Sequence, residues 1–89
     1  MSLDVPIDGV LDLHAFSPRD VASVVEEYIG AAVEAGLLEI RLIHGRGVGI
    51  QRRTVHAVLA RHPSVKTYWD APESHLGATV AQLTPSHAT

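Results

Sequence analysis

Two short stretches carry residue types that together can do chemistry. Asp12 and His14 lie two apart in Leu11-Asp12-Leu13-His14, so on a strand they share one face. A carboxylate beside an imidazole can orient the ring, or can itself take a proton. The second stretch is His44-Gly45-Arg46-Gly47-Val48-Gly49. Its three glycines let the backbone turn tightly and approach a ligand closely. The helix that should follow points unpaired N–H groups and the positive end of its dipole into that loop, a corner suited to anions. Arg52 and Arg53 would sit in the first turn of that helix, where a cation opposes the dipole unless an anionic partner is present. The combination suits phosphodiester chemistry. Asp12 and His14, with His44 assisting, would move the proton. Gly45, Arg46, Gly47, Gly49, Arg52 and Arg53 would hold phosphate oxygens and stabilise developing charge.

The glycine spacing disfavours a mononucleotide or dinucleotide cofactor. A dinucleotide fingerprint needs G-x-G-x-x-G, and a P-loop needs Lys-Ser/Thr after its last glycine, where Ile50-Gln51 stands. A two-metal site needs several clustered carboxylates, and only Asp12 is so placed. A single Mg²⁺ ion stays compatible, but no metal ligands are assigned. His14, His44 and Asp12 are right by type, yet their spacing is no metal motif. The same residues also have plainer uses. His14 could bond a carbonyl at a strand end, Asp12 could cap a loop N–H, and Arg52 or Arg53 could pair with an acid. His56, His62, His75 and His87 read as ordinary surface or packing residues. Tyr68 and Trp69 point to opposite faces of a strand, one into the core and one able to stack on a base.

At 89 residues the chain reads as one domain spanning 1–89, with a core over about 10–83 and flexible ends at 1–7 and 84–89. It has no cysteine, which excludes disulfides and thiolate metal sites. No apolar run approaches the roughly 20 residues of a membrane span, so no membrane partner is expected. No leader pattern opens the chain, and the cytoplasm is the default. The net charge of −3 argues against a generic nucleic-acid binder. Its distribution restores the possibility. Residues 1–40 carry −7 and residues 41–89 carry +4, so one face could be basic.

The elements that must position these residues follow from periodicity. Val10-Leu11-Asp12-Leu13-His14 alternates and reads as a strand. Ser17-Pro18-Arg19-Asp20 reads as a helix start, with Ser17 as cap and Asp20 as the acid of a capping box. Val21, Val24, Val25, Tyr28, Ile29, Ala32 and Val33 form an apolar stripe, and Gly36 ends the helix. Gly30 inside it suggests close packing on a neighbour. A strand over about 38–44, a helix over about 50–61 with Val55, Val58 and Leu59 buried, and strands over 65–71 and 78–83 complete the chain. Pro63 forbids continuation of the second helix. The order β-α-β-α-β-β makes the first three strands parallel and the fourth antiparallel. The expected fold is an α/β two-layer sandwich, a four-stranded mixed sheet with two helices on one face. Ligands of such sheets bind beyond the carboxyl ends of the parallel strands. Asp12, His14, His44 and Arg46 should therefore converge on one pocket if the first two strands are neighbours.

These residues together resemble the Smr (small MutS-related) domain family. Leu11-Asp12-Leu13-His14 matches the first four positions of its L-D-L-H-G motif. His44, Gly45, Gly47, Gly49 and Arg52 match H-G-x-G-x-G-x-L-R, and Gly77-Ala78-Thr79 matches a third, G-x-G-A-T. The likeness runs from about Val10 to Leu83 and suggests a stand-alone protein. It departs at Ala15, where glycine is usual, at Gln51, where leucine is usual, and at Ser74 or His75, where the third motif has its first glycine. The resemblance implies a fold similar to the C-terminal domain of translation initiation factor three. It also implies nucleic-acid binding, often of structured or branched DNA or RNA, with endonuclease or nicking activity linked to DNA repair, recombination or RNA processing. The first motif is associated with cleavage. The glycine motif is associated with substrate binding, and the third motif adds Gly77 and Thr79 to the binding set. A non-catalytic nucleic-acid-binding module or a protein-interaction domain are the competing readings.

Overall fold

A computed structural model describes residues 5–45, 50–71 and 77–85. The elements are β1 (Val10–Asp12), α1 (Val21–Glu34), β2 (Glu39–Ile43), α2 (Ile50–Arg61), β3 (Val65–Asp70) and β4 (Ala78–Leu83), with short 3₁₀ turns at Leu13–Ala15 and Pro18–Asp20. The strands form one sheet in the order β1-β2-β4-β3. β1 pairs parallel with β2, and β4 runs antiparallel to both its neighbours, so β1, β2 and β3 share one direction. The expected mixed sheet is therefore present. β4 is inserted between β2 and β3, and that insertion builds the site described below.

Alternation divides the sheet into two faces. Leu11, Ile40, Leu42, Ala81 and Leu83 face the helices and join the α1 stripe and Val55, Val58 and Leu59 in one core. Ile43, Ala78, Val80 and Ala71 form a separate small cluster on the other side. Tyr68 packs against the main core, whereas Trp69, next along β3, is 41% exposed on the far face. Val5 and Ile7 also pack against the main core. Beyond β4, the Thr84 N–H donates to the Ser64 carbonyl at 2.8 Å.

Three local expectations are corrected. β1 ends at Asp12 rather than His14, because the Asp12 side chain accepts the His14 N–H at 2.9 Å and turns the chain into a 3₁₀ turn. Such side-chain bonds to nearby backbone compete with a strand ladder. Ser17 makes no side-chain cap. Pro18–Asp20 forms its own 3₁₀ turn and α1 begins at Val21. Gly30 has no close neighbour, since a Cβ there would meet nothing within 4 Å, and packing does not explain it. Gly36 behaves as read. At φ +84° it closes α1, its N–H reaching the Val33 carbonyl and that of Leu37 reaching Ala32, both within 3.0 Å.

Two contacts fix β1 on the rest. The Gly9 N–H donates to Tyr28 Oη at 3.0 Å, and the Gly9 carbonyl accepts from Arg41 N at 2.7 Å. Together they seat the start of β1, at the end away from Asp12, against α1 and β2.

Candidate functional site

The C-terminal ends of β1, β2 and β3 lie along one edge of the sheet, together with the start of β4 and the first turns of α2. At one end of this edge, His14 Nδ1 lies 2.7 Å from Asp12 Oδ1, and both side chains are more than half exposed. A carboxylate only accepts, so Nδ1 donates, and Nε2 is turned toward the Gly45 corner. The His14 backbone N–H, and then its ring, hold the Asp12 carboxyl below its usual range. The turn carries the imidazole over Gly45. A Cβ built on Gly45, whose φ is +91°, would stand 3.0 Å from His14 Nε2. Glycine is thus favoured there by the left-handed backbone, and a Cβ would in addition crowd the ring above it.

Toward the middle of the edge, His44 is almost fully buried. Its Nδ1 lies 2.9 Å from the Gly45 carbonyl and its Nε2 lies 2.9 Å from Thr79 Oγ1. Burial is the largest influence on this ring and lowers its proton affinity. The backbone of the same corner is tied to β4, because the N–H groups of His44 and Gly45 both donate to the Gly77 carbonyl at 3.0 Å. Gly77 adopts φ +75° to present that carbonyl.

The far end is a cluster centred on Asp70. Both Nε and Nη2 of Arg52 donate to its carboxylate, with Nε 3.1 Å from each oxygen. His56 Nε2 lies 3.1 Å from Asp70 Oδ1 and 3.0 Å from Thr79 Oγ1. The Tyr68 ring meets His56 edge-on at 5.0 Å. Arg52 is the main reason the Asp70 carboxyl is lowered to about 2. The same pairing raises the Arg52 guanidinium above its ordinary value.

The structure brings together Asp12 and His14, and separately His44, Thr79 and Arg52. The two groups share an edge but approach it from opposite sides. Asp12 stands opposite Ile43 on the helix-free side, whereas Thr79 pairs with Leu42 on the helix side. Arg52 takes the plainer of its two expected uses, pairing with an acid. Thr79 is fully buried. Arg53 is exposed on the same turn of α2. Arg46, Gly47 and Gly49 lie outside the described residues. The expected basic face is diluted, since Arg61 also pairs with Glu26 of α1 at 2.7 Å. Among the described residues no three His, Asp or Glu side chains are arranged to hold a metal ion.

Sequence reasoning missed Asp70 and set His56 aside as an ordinary residue. Two signals pointed to them. Arg52 and His56 are four apart on α2 and so share a face. Asp70 ends a parallel strand, as Asp12 does.

Comparison with known proteins agrees with this architecture. The family model for the Smr domain matches residues 11–84. Endonuclease MutS2 of Clostridium tetani is 34% identical over 79 residues, which span 86% of this chain and 10% of that protein. Endonuclease MutS2 of Shouchella clausii is 38% identical over 82 residues, 90% of this chain and again 10% of the relative. The chain thus spans about a tenth of the length of these relatives. The crystal structure of the Smr domain of Thermus thermophilus MutS2 superposes with a TM-score of 0.78 at 31% identity, covering 85% of this chain and 98% of that one. The motifs, the sheet order and these matches agree, and the chain belongs to the Smr domain family.

Proposed function

We propose that this protein binds nucleic acid, DNA or RNA, and cleaves its phosphodiester backbone, with the Asp12–His14 pair supplying the proton transfer. The observation that carries the reading is an exposed imidazole braced by a carboxylate. Asp12 engages Nδ1 at 2.7 Å, and among the described residues His14 Nε2, over the Gly45 corner, has no hydrogen-bond partner. Held this way, His14 takes a proton from an attacking water or ribose hydroxyl as the new phosphorus–oxygen bond forms and the bond to the leaving sugar oxygen breaks, that oxygen taking a proton from solvent, while Asp12 stabilises the imidazolium until it too loses its proton. The N–H groups of the glycine loop, with Arg46 and the exposed Arg53, hold the phosphate. Arg52 joins them only by exchanging part of its bond to Asp70 for a phosphate oxygen. The relatives bearing the name endonuclease support the same reaction class. A Mg²⁺ ion is compatible with this reaction, where it would neutralise phosphate charge, and no residue is assigned to hold it. Repair, recombination or RNA processing in the cytoplasm is the setting that fits.

The test is incubation of purified protein with supercoiled plasmid and with structured RNA, with and without Mg²⁺, for wild type and His14→Ala. Cleavage by wild type alone supports the reading. Binding without cleavage by wild type replaces it with a non-catalytic nucleic-acid module. Equal cleavage by both proteins removes His14 from the chemistry.

A further inference from the structure

We propose that His44 is a positioning residue rather than an acid or base, held as the neutral Nδ1–H tautomer by the Thr79 hydroxyl, whose direction of donation is set by His56 and Asp70. The inference deepens the cleavage reading by dividing the histidines at this edge into one that reacts and one that holds.

Proton counting leads to it. The Gly45 carbonyl only accepts, so His44 Nδ1, 2.9 Å away, carries a hydrogen. In the neutral ring Nε2 is then a lone pair that needs a donor. Among the described residues Thr79 Oγ1, at 2.9 Å, is the group that meets it. Among the described residues the single proton of Thr79 has three side-chain partners to choose from: His44 Nε2, His56 Nε2 at 3.0 Å, and Asp70 Oδ1, toward which the hydroxyl can also donate at the longer distance of 3.2 Å. If that proton goes to His44, the hydroxyl oxygen must be served from elsewhere. His56 Nε2–H does so, sharing its hydrogen with Asp70 Oδ1 at 3.1 Å. Arg52 keeps Asp70 charged and accepting. Every group is then satisfied. Among the described residues no buried side-chain nitrogen or oxygen lacks a partner. The other neutral arrangement, hydrogen on His44 Nε2, would set the Nδ1 lone pair against the Gly45 carbonyl lone pair.

Both nitrogens of His44 are therefore occupied inside the protein, and the ring is 7% exposed. It has no vacant lone pair to offer a substrate. What it does is fix the Gly45 carbonyl, and with it the corner over which His14 sits. Through Thr79 and Asp70 the corner is also registered with Arg52 and the first turn of α2.

Two measurements test this. The first is long-range ¹H–¹⁵N correlation of the histidine rings in uniformly ¹⁵N-labelled protein. Expected are a protonated Nδ1 and an unprotonated Nε2 for His44, protonation of His56 at Nε2, and movement of the His44 Nε2 resonance in Thr79→Val but not in Thr79→Ser. A doubly protonated His44, or hydrogen on Nε2, overturns the proposal whether or not the protein cuts nucleic acid. The second is cleavage by His44→Asn, whose amide nitrogen can take the place of Nδ1 as donor to Gly45. A positioning role predicts a loss of less than about tenfold with the pH profile of wild type, against the ~10²–10⁴ lost with an acid or base. A loss in that larger range by a variant that still melts cooperatively overturns it.

Discussion

Two histidines stand at the same edge of one sheet and are built for opposite work. His14 is exposed, has a carboxylate on one nitrogen, and among the described residues has no partner on the other. His44 is buried, with a carbonyl on one nitrogen and a hydroxyl on the other. Residue type does not separate them, and neither does motif membership, since both belong to family motifs. The difference lies in whether the second nitrogen retains a vacant lone pair. Where Asp12 pairs with a ring at the surface, the pair can exchange protons with a ligand. Where the Gly45 carbonyl and Thr79, itself bonded to His56 and Asp70, occupy both nitrogens of a ring, the network specifies a conformation and resists opening, because each buried polar group left unpaired costs about 1–3 kcal/mol.

Breaking each side of the comparison should break different properties. The largest expected effect is on rate. His14→Ala should lower cleavage by ~10²–10⁴, while its exposure should keep the change in stability within about 0.5 kcal/mol. Cleavage and urea denaturation of the same preparation check both. Thr79→Val should do the reverse. Leaving His44 Nε2 without its donor should destabilise the fold by about 1–3 kcal/mol, read as a lower urea midpoint at unchanged m. Gly45→Ala touches both sides. It forces a side chain into a left-handed conformation, at roughly 1–2 kcal/mol, and pushes a methyl into the His14 ring. Stability and cleavage should fall together, whereas His14→Ala separates them.

A gentler probe is pH. Burial lowers the proton affinity of His44 in the folded chain below the ordinary value of 6.5 that it regains on unfolding. The unfolded state therefore binds the proton more readily, so this contribution to stability is full above pH 6.5 and declines as pH falls below it. Thermal melts across that window should show a fall for wild type and a shallower one for His44→Asn. Asp70, at about 2, titrates far below the window. The smallest effect is a control away from both histidines. Gly30→Ala has open space for its methyl and should stabilise α1 by up to about 1 kcal/mol, with cleavage unaltered.

Much of this molecule is legible in its sequence because the signals are local. The spacing of Val21 to Val33 defines α1, Pro63 stops α2 at Arg61, and Asp12 and His14 lie two residues apart. The Asp70 cluster was not legible in the same way. Its members come from α2, β3 and β4, with His56 and Asp70 14 positions apart and His56 and Thr79 23 positions apart. They meet because β4 slots between β2 and β3, an order that periodicity does not dictate. The strand-end rule that singled out Asp12 and His44 applies equally to Asp70. Its carboxylate was passed over because no glycine loop or second polar residue stood beside it in the chain. The early end of β1 was missed for a related reason. Alternation continues through His14, and only the side-chain bond from Asp12 turns the backbone aside.

His14, not His44, is the residue proposed to exchange the proton. Chemical rescue separates the two, by measuring cleavage for His14→Ala and His44→Ala with imidazole added at increasing concentration. Imidazole should restore cleavage to His14→Ala, whose vacated position is open to solvent, and leave His44→Ala unchanged. Rescue of His44→Ala with none for His14→Ala would contradict it.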